Sequence, residues 1–281
     1  MNRQMLRKLY SDDPTFEKPL HLTPSELSRY FTIDYKNAVA IYDQLHDTTL
    51  KKFVLRDQEI STVITSLDKQ YPEQLLHLYD APFVLYCLGN IDLLSHRPII
   101  SVIGTRNPSH EAMDKMEHII SPLIERDFCI VSGLAYGIDS LAHQITLQQK
   151  GKTIAVLGSG FHHIYPKRNQ QLCNKIIEAG LVISEYPPDI KPKRWHFPER
   201  NRIISGISMA TLVVEATEKS GTLITVDQAL EQGKEVYAVP GSPLLTQTVG
   251  CHKMIQDGAK LVMDASDILE DLEKMQNDHY I

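Results

Sequence analysis

Twice between Ile99 and Asp139 the chain runs from a short apolar segment through a glycine turn into a helical pattern. Few folds accommodate that arrangement. The first segment, Ile99-Ile100-Ser101-Val102-Ile103, breaks at Gly104-Thr105-Arg106. The second, Phe128-Cys129-Ile130-Val131, ends at Ser132-Gly133-Leu134-Ala135-Tyr136-Gly137-Ile138-Asp139. A β-branched run closed by glycine ahead of a helix reads as a strand of a parallel, doubly wound sheet. Both turns then lie at the carboxyl edge of the sheet, where open α/β sheets bind ligands.

The pattern continues toward the C-terminus. Thr153–Leu157, Leu181–Ser184, Thr211–Val214, Glu235–Val239 and Lys260–Val262 are further candidate strands, giving seven in one sheet, with helical stretches between them. Residues 1–60 predict a small all-α module. There Thr23 with Pro24 marks one helix start, and Asp34 caps a helix running to His46. Residues 61–97 read as a connector on the sheet edge that includes a strand within Ala81–Asn90, closed by a Gly-Asn turn. An acidic helix over Ile268–Met275 follows the last strand. The predicted class is α/β, a mostly parallel doubly wound sheet over residues 61–281 behind the helical module.

Composition narrows the function classes. No apolar stretch approaches the roughly 20 residues of a spanning helix, and the N-terminus lacks the apolar core of a signal peptide. A cytoplasmic protein without membrane insertion is expected. The four cysteines, Cys87, Cys129, Cys173 and Cys251, are widely spaced and fit buried thiols better than disulfides or a metal site. Charge is unevenly distributed: net −2 over residues 1–99, +3 over 100–210 and −7 over 211–281. A basic middle beside an acidic end predicts a local anion site and a separate face for another partner.

Five loops carry the anion reading: Gly104-Thr105-Arg106, Ser132-Gly133, Gly158-Ser159-Gly160, Ser220-Gly221-Thr222 and Pro240-Gly241-Ser242. Small residues at the ends of strands and the starts of helices offer N–H groups and hydroxyls to phosphate. Cations flank them, with Arg106 in the first loop and Lys167-Arg168 after the third. The segment Lys191–Arg202 holds five bases against one acid and interleaves them with Trp195 and Phe197. Such alternation suits a single strand, whose phosphates pair with cations and whose bases stack on rings. Glu185 and Glu215, each at a strand end, are candidates to hold Arg200 or Arg202 in place.

Catalytic and cofactor motifs are not met. Gly158-Ser159-Gly160 opens like a dinucleotide fingerprint, but the third glycine position holds His163. Gly151-Lys152-Thr153 resembles the end of a P-loop, but Thr146 stands where its first glycine belongs. No G-x-S-x-G elbow occurs, and Asp139 reads as a helix cap or a local ion-pair partner. Neither a catalytic residue nor a metal or cofactor is expected.

Taken in order, these residues resemble the DprA/Smf family of DNA-processing proteins. The resemblance rests on Ile103-Gly104-Thr105-Arg106, Ser132-Gly133-Leu134-Ala135 with Gly137-Ile138-Asp139, Ala142-His143, Gly160 with Tyr165-Pro166, and Ser184-Glu185. It continues through Phe197-Pro198-Glu199-Arg200-Asn201-Arg202-Ile203-Ile204, Val213-Val214-Glu215-Ala216, Ser220–Thr225, Ala238-Val239-Pro240-Gly241 and Gly258-Ala259. The resemblance implies an extended Rossmann domain behind a SAM-like helical one, binding single-stranded DNA without catalysis. It further implies that the protein shields incoming strands in natural transformation, loads the RecA recombinase onto them and forms a homodimer.

The DNA contacts implied are Gly104, Thr105, Arg106, Ser132, Gly133, Gly160, Lys167, Arg200, Asn201, Arg202, Ser220, Gly221 and Thr222. Cys251, His252, Met254 and Ile255 are implied as dimer or RecA contacts, with the acidic helix a further candidate. Tyr136 stands where many members carry a base, and His252 where asparagine is usual. No winged-helix segment follows the sheet, so duplex binding through such a module is not expected. A competing enzymatic reading, a phosphoribohydrolase on a related sheet, requires a P-G-G-x-G-T-x-x-E run. Here Pro240-Gly241 continues as Ser242-Pro243-Leu244 instead.

Overall fold

The computed structural model describes residues 3–278. The chain divides into two compact units with the boundary between Thr62 and Val63; the expected outer limits at residues 1 and 281 lie outside the described residues.

The first unit is built from α1 (Arg3–Asp12), α2 (Lys18–His21), α3 (Pro24–Phe31), α4 (Tyr35–His46) and α5 (Thr48–Ile60). Helix α3 starts where the sequence places it: Glu26 N–H donates to Thr23 Oγ1, and Thr23 N–H donates back to Glu26 Oε2 at 2.8 Å, a complete capping box. Asp34 caps α4 through Asn37 N–H at 2.8 Å. Leu9, Leu27, Phe31, Ala38 and Ile41 form the core of this unit. Thr23→Ala removes one half of the box, so a loss of about 1 kcal/mol is expected, read by urea titration of the intact chain.

The second unit carries nine strands rather than the seven expected. They are β1 (Thr62–Thr65), β2 (Val84–Gly89), β3 (Ile99–Ile103), β4 (Cys129–Ser132), β5 (Thr153–Leu157), β6 (Leu181–Ser184), β7 (Ala210–Val213), β8 (Glu235–Ala238) and β9 (Lys260–Leu261). Their spatial order is β1-β2-β6-β5-β4-β3-β7-β8-β9. Strands β3 through β9 pair parallel, and β2 joins antiparallel to β6, with Tyr86 opposite Ser184 and Gly89 opposite Leu181. The segment read as a connector is therefore part of the sheet. The strand expected within it is β2, whereas β1, four residues long, has no counterpart in the sequence reading.

The helices of this unit are α6 (Glu73–Leu76), α7 (Ala112–Glu125), α8 (Ile138–Gln148), α9 (Gln170–Ala179), α10 (His196–Ile207), α11 (Thr222–Glu231), α12 (Val249–Gln256) and α13 (Ala265–Asp278). The two-residue period of β3 sends Ile99 and Ile103 into one core and Ile100 and Val102 into the other. Ile203, Ile204 and Ile207 of α10 and Val226 of α11 pack in the first core; Met116 and Ile120 of α7, Ile145 of α8 and Ile268 of α13 fill the second. The result is a three-layer, doubly wound Rossmann-like sheet.

After β3 the chain steps outward through β4, β5 and β6, then α10 carries it back so that β7 lies on the other side of β3. The crevice between the β3 and β7 ends is the topological switch point, where the loops diverge and leave room for a ligand. No helix among the described residues is long and apolar enough to cross a membrane.

Candidate nucleic-acid interface

A cleft of about 620 Å³ opens at that switch point. Three of the five glycine loops reach it, through Gly104-Thr105-Arg106, through Ala135, and through Ser220-Gly221-Thr222. The third wall is one face of α10, where Phe197, Asn201 and Ile204 recur at helical spacing. Gly158-Ser159-Gly160 and Pro240-Gly241-Ser242 do not line it. The Phe197 ring lies over Gly158, where a Cβ would stand 3.0 Å from the ring edge.

The first loop is held from below. Glu215, fully buried, accepts from Ser109 N–H at 2.8 Å, from Ser109 Oγ and from Lys115 Nζ at 3.2 Å, while its own carbonyl accepts from Thr105 N–H at 2.7 Å. Glu215 thus fixes the Arg106 loop and does not hold an arginine. Gly137 closes against the same loop with φ +75°, and a Cβ there would lie 2.3 Å from the Thr105 carbonyl oxygen, so only glycine fits. These contacts leave Arg106 exposed at the cleft mouth.

Arg200 has the opposite environment. It is only 4% exposed, and Nη1 donates to the carbonyls of Gly133 and Val156, joining the ends of β4 and β5. The absence of a side chain at Gly133 makes room, since a Cβ would lie 2.4 Å from Nη1. Nε donates to Asn201 Oδ1 at 3.1 Å. Burial pulls the guanidinium down to about 10, and Asp139 opposes that pull. Asp139 is itself buried, which raises its carboxyl above the ordinary range. Arg200, the N–H groups of Ala135 and Gly133, and Arg106 offset part of that rise. Asp139 is therefore a loop clasp that binds the Gly133 and Ala135 N–H groups within the field of Arg200.

Arg202 is also buried, at 6% exposure, on the far side of α10. Its Nη2 donates to Glu185 Oε2 at 2.6 Å and its Nε lies 3.4 Å from Asp80 Oδ2. The arginine held by a strand-end glutamate is thus Arg202 of α10, paired with Glu185. Arg202 faces a second cleft, lined also by Gln74, Tyr79, Asp80, Gln228 and Lys234.

Several N–H groups expected to meet phosphate have internal partners. Gly133 N–H donates to Asp139, Gly160 N–H to the Ile190 carbonyl at 2.8 Å, and Thr222 N–H to Ser220 Oγ at 3.2 Å. Ser132 is buried, its Oγ donating to the Val102 carbonyl at 2.6 Å. Gly160 is closed in, because a Cβ would stand 2.1 Å from the Pro187 carbonyl oxygen, whereas Gly221 faces open space.

Side chains, more than N–H groups, are what the cleft presents. Arg106 and Arg194 are exposed, and Tyr165 is 47% exposed with its ring 5.4 Å from that of Phe197. Beside it Trp195 is 58% exposed under the Lys193 ammonium, and Tyr136 is 41% exposed. Trp195 is therefore not a core residue. Tyr165 and Arg194 are not among the contacts the sequence implies; the available signals are the Tyr165-Pro166 turn for the first and the alternation of bases with Trp195 and Phe197 along Lys191–Arg202 for the second. Lys167 is exposed in the turn that follows Tyr165.

The residues of α12 divide. Cys251 and Met254 are buried in the core of the sheet's first face. His252 Nε2 lies 3.0 Å from the Gly241 carbonyl oxygen and 3.3 Å from the Gly241 nitrogen, and Ile255 is half-buried. Of the four residues implied as contacts, His252 and Ile255 are the ones with surface to offer. No group of three or more potential metal ligands occurs among the described residues.

Comparison with known proteins identifies the family. The sequence profile of DNA recombination-mediator protein A matches residues 62–273. The chain is 47% identical to DNA processing protein DprA of Bacillus subtilis over 217 residues, 77% of this chain and 73% of that protein. It is 44% identical to DprA of Streptococcus pneumoniae over 232 residues, 83% of this chain and 80% of that protein. The X-ray structure of Streptococcus pneumoniae DprA superposes with a TM-score of 0.86 at 38% identity, covering 96% of this chain and 93% of that one. A Helicobacter pylori DprA structure, described for its single-stranded DNA binding mode, gives 0.68 at 27% identity, covering 76% and 97%. The chain belongs to the DprA/Smf family of DNA-processing proteins.

Proposed function

We propose that the switch-point cleft binds single-stranded DNA and that the protein serves natural transformation as a non-catalytic recombination mediator, loading the RecA recombinase onto the bound strand. The observation that carries this reading is the pairing of exposed Arg106 and Arg194 with the exposed Tyr165 ring in one cleft, with Trp195 beside it. Cations of this kind meet phosphates, and open rings accept unpaired bases at about 1–3 kcal/mol each. The family membership and the single-strand binding described for the Helicobacter pylori relative support it. Arg200, Asn201, Gly133 and Asp139 act as the frame that sets the loops, and Gly104, Thr105, Ser220, Gly221 and Thr222 form the floor and rim. Homodimerisation through the surface of α12 and the acidic α13, a cytoplasmic location, and a division into a helical domain and a Rossmann domain complete the proposal.

Fluorescence anisotropy of labelled oligo-dT tests it. Binding that strengthens at low salt, that duplex and mononucleotides displace poorly, and that varies little with sequence is the expected outcome. Absence of binding at low salt, with release of base from a nucleoside monophosphate, would instead place the protein among nucleotide hydrolases.

A further inference from the structure

Helices α8 and α9 pack side by side on the second face of the sheet, and a groove of about 460 Å³ runs between them. Leu147 and Leu172 give it an apolar floor, and the cations Arg168 and Lys175 stand in its walls. The remaining lining residues, Gln144, Gln148, Asn169 and Gln171, carry neutral amides, and no carboxylate lines it. Glu178, the nearest acid along α9, is not among the lining residues. Arg168 and Lys175 are exposed, and neither makes an ion pair among the described residues.

The groove adjoins the switch-point cleft through a single turn. Tyr165 lines the cleft, Lys167 is exposed between, and Arg168 and Asn169 line the groove. The Asn169 amide also donates to the carbonyls of Leu134 at 2.9 Å and Ala135 at 3.2 Å, and Ala135 is itself part of the cleft. One buried side chain therefore fixes the turn and the loop together.

We propose that the α8–α9 groove is a second subsite for the same strand: a phosphodiester chain leaving the cleft passes Tyr165 and Lys167 and continues along Arg168 and Lys175. Unpaired cations without opposing carboxylates attract phosphate, the amides hydrogen-bond to sugar or base edges, and Leu147 with Leu172 takes the face of a base. This inference rests on the single-strand reading of the cleft and extends its footprint.

The test compares oligo-dT of about six nucleotides, short enough for the cleft alone, with oligo-dT of about twenty. Against wild type, the Arg168→Gln/Lys175→Gln variant should bind the long strand about tenfold more weakly and lose about 1.4 from its salt slope. The short strand should bind both proteins alike. A control, Lys36→Gln/Lys51→Gln on the helical unit, removes the same charge and should change neither. Unchanged long-strand affinity in the groove variant, or an equal loss in the control, would overturn the proposal. Weaker dTMP binding with the long strand unaffected would assign the groove to a phosphate monoester and also overturn it. Failure of wild type to bind either oligonucleotide would remove the reading of the cleft, and this inference with it.

Discussion

Arg200→Met is expected to destabilise the sheet unit by about 2–6 kcal/mol, the cost of leaving two buried carbonyls without their donor at about 1–3 kcal/mol each. The guanidinium is the donor that joins the Gly133 and Val156 carbonyls, and it is the first opposite charge felt by Asp139. Methionine fills much of the volume but supplies no donor. Lysine retains the charge, yet it lacks the planar fork that reaches two carbonyls and Asn201 together, so Arg200→Lys should recover only part of the loss.

The pH dependence of that loss separates it from a packing defect. Asp139 has a carboxyl raised above its unfolded value, so the folded chain binds that proton more tightly than the unfolded one. Such a group favours the fold at low pH, and its contribution falls as pH rises through the window between the two values. Removing Arg200 extends the window upward. Urea titrations should therefore show the Arg200→Met deficit greatest near neutrality and smaller toward about pH 5. A deficit that does not change over that range would mean Asp139 does not depend on Arg200.

Arg106→Ala/Arg194→Ala should lower oligo-dT affinity at least about 100-fold, taking roughly 1.5 kcal/mol, the low end for a charged contact, for each arginine and additivity between separate sites. Both side chains are exposed at the cleft. Their removal therefore leaves no buried orphan, and thermal stability should stay near wild type. The loss should be equal across sequences, because phosphate contacts position a strand without reading it. Anisotropy across a salt series decides the matter. A salt slope that matches wild type in the double variant would show that these arginines do not meet phosphate, whatever happens to affinity.

Local pattern settles most of the fold. The runs at Ile99–Ile103 and Thr153–Leu157 are fully buried, β-branched and closed by glycine, so their strand character is independent of distant contacts. Thr23 and Asp34 mark helix starts for a similarly local reason, since a cap bonds within its own first turn. Strand β1 and the place of β2 in the sheet were less legible. The β2 run reads as a strand, but its partner is β6, about a hundred residues away, and no local pattern carries that pairing.

The candidate site divides along the same line. The sequence by itself determined the repertoire: glycine turns at strand ends, a basic segment with rings, and an arginine in the first loop. Only the tertiary structure decided which of these share a cleft, because strand order places the β3 and β7 loops together and leaves the Pro240–Ser242 turn aside. It also decided which cations face water. Arg106 and Arg200 are indistinguishable as letters, but one ends an exposed loop while the other is buried beneath Gly133. An arginine's role follows from which carbonyls and carboxylates the chain brings within a few ångströms of it. Those groups lie tens of residues away in sequence, beyond the reach of any local pattern.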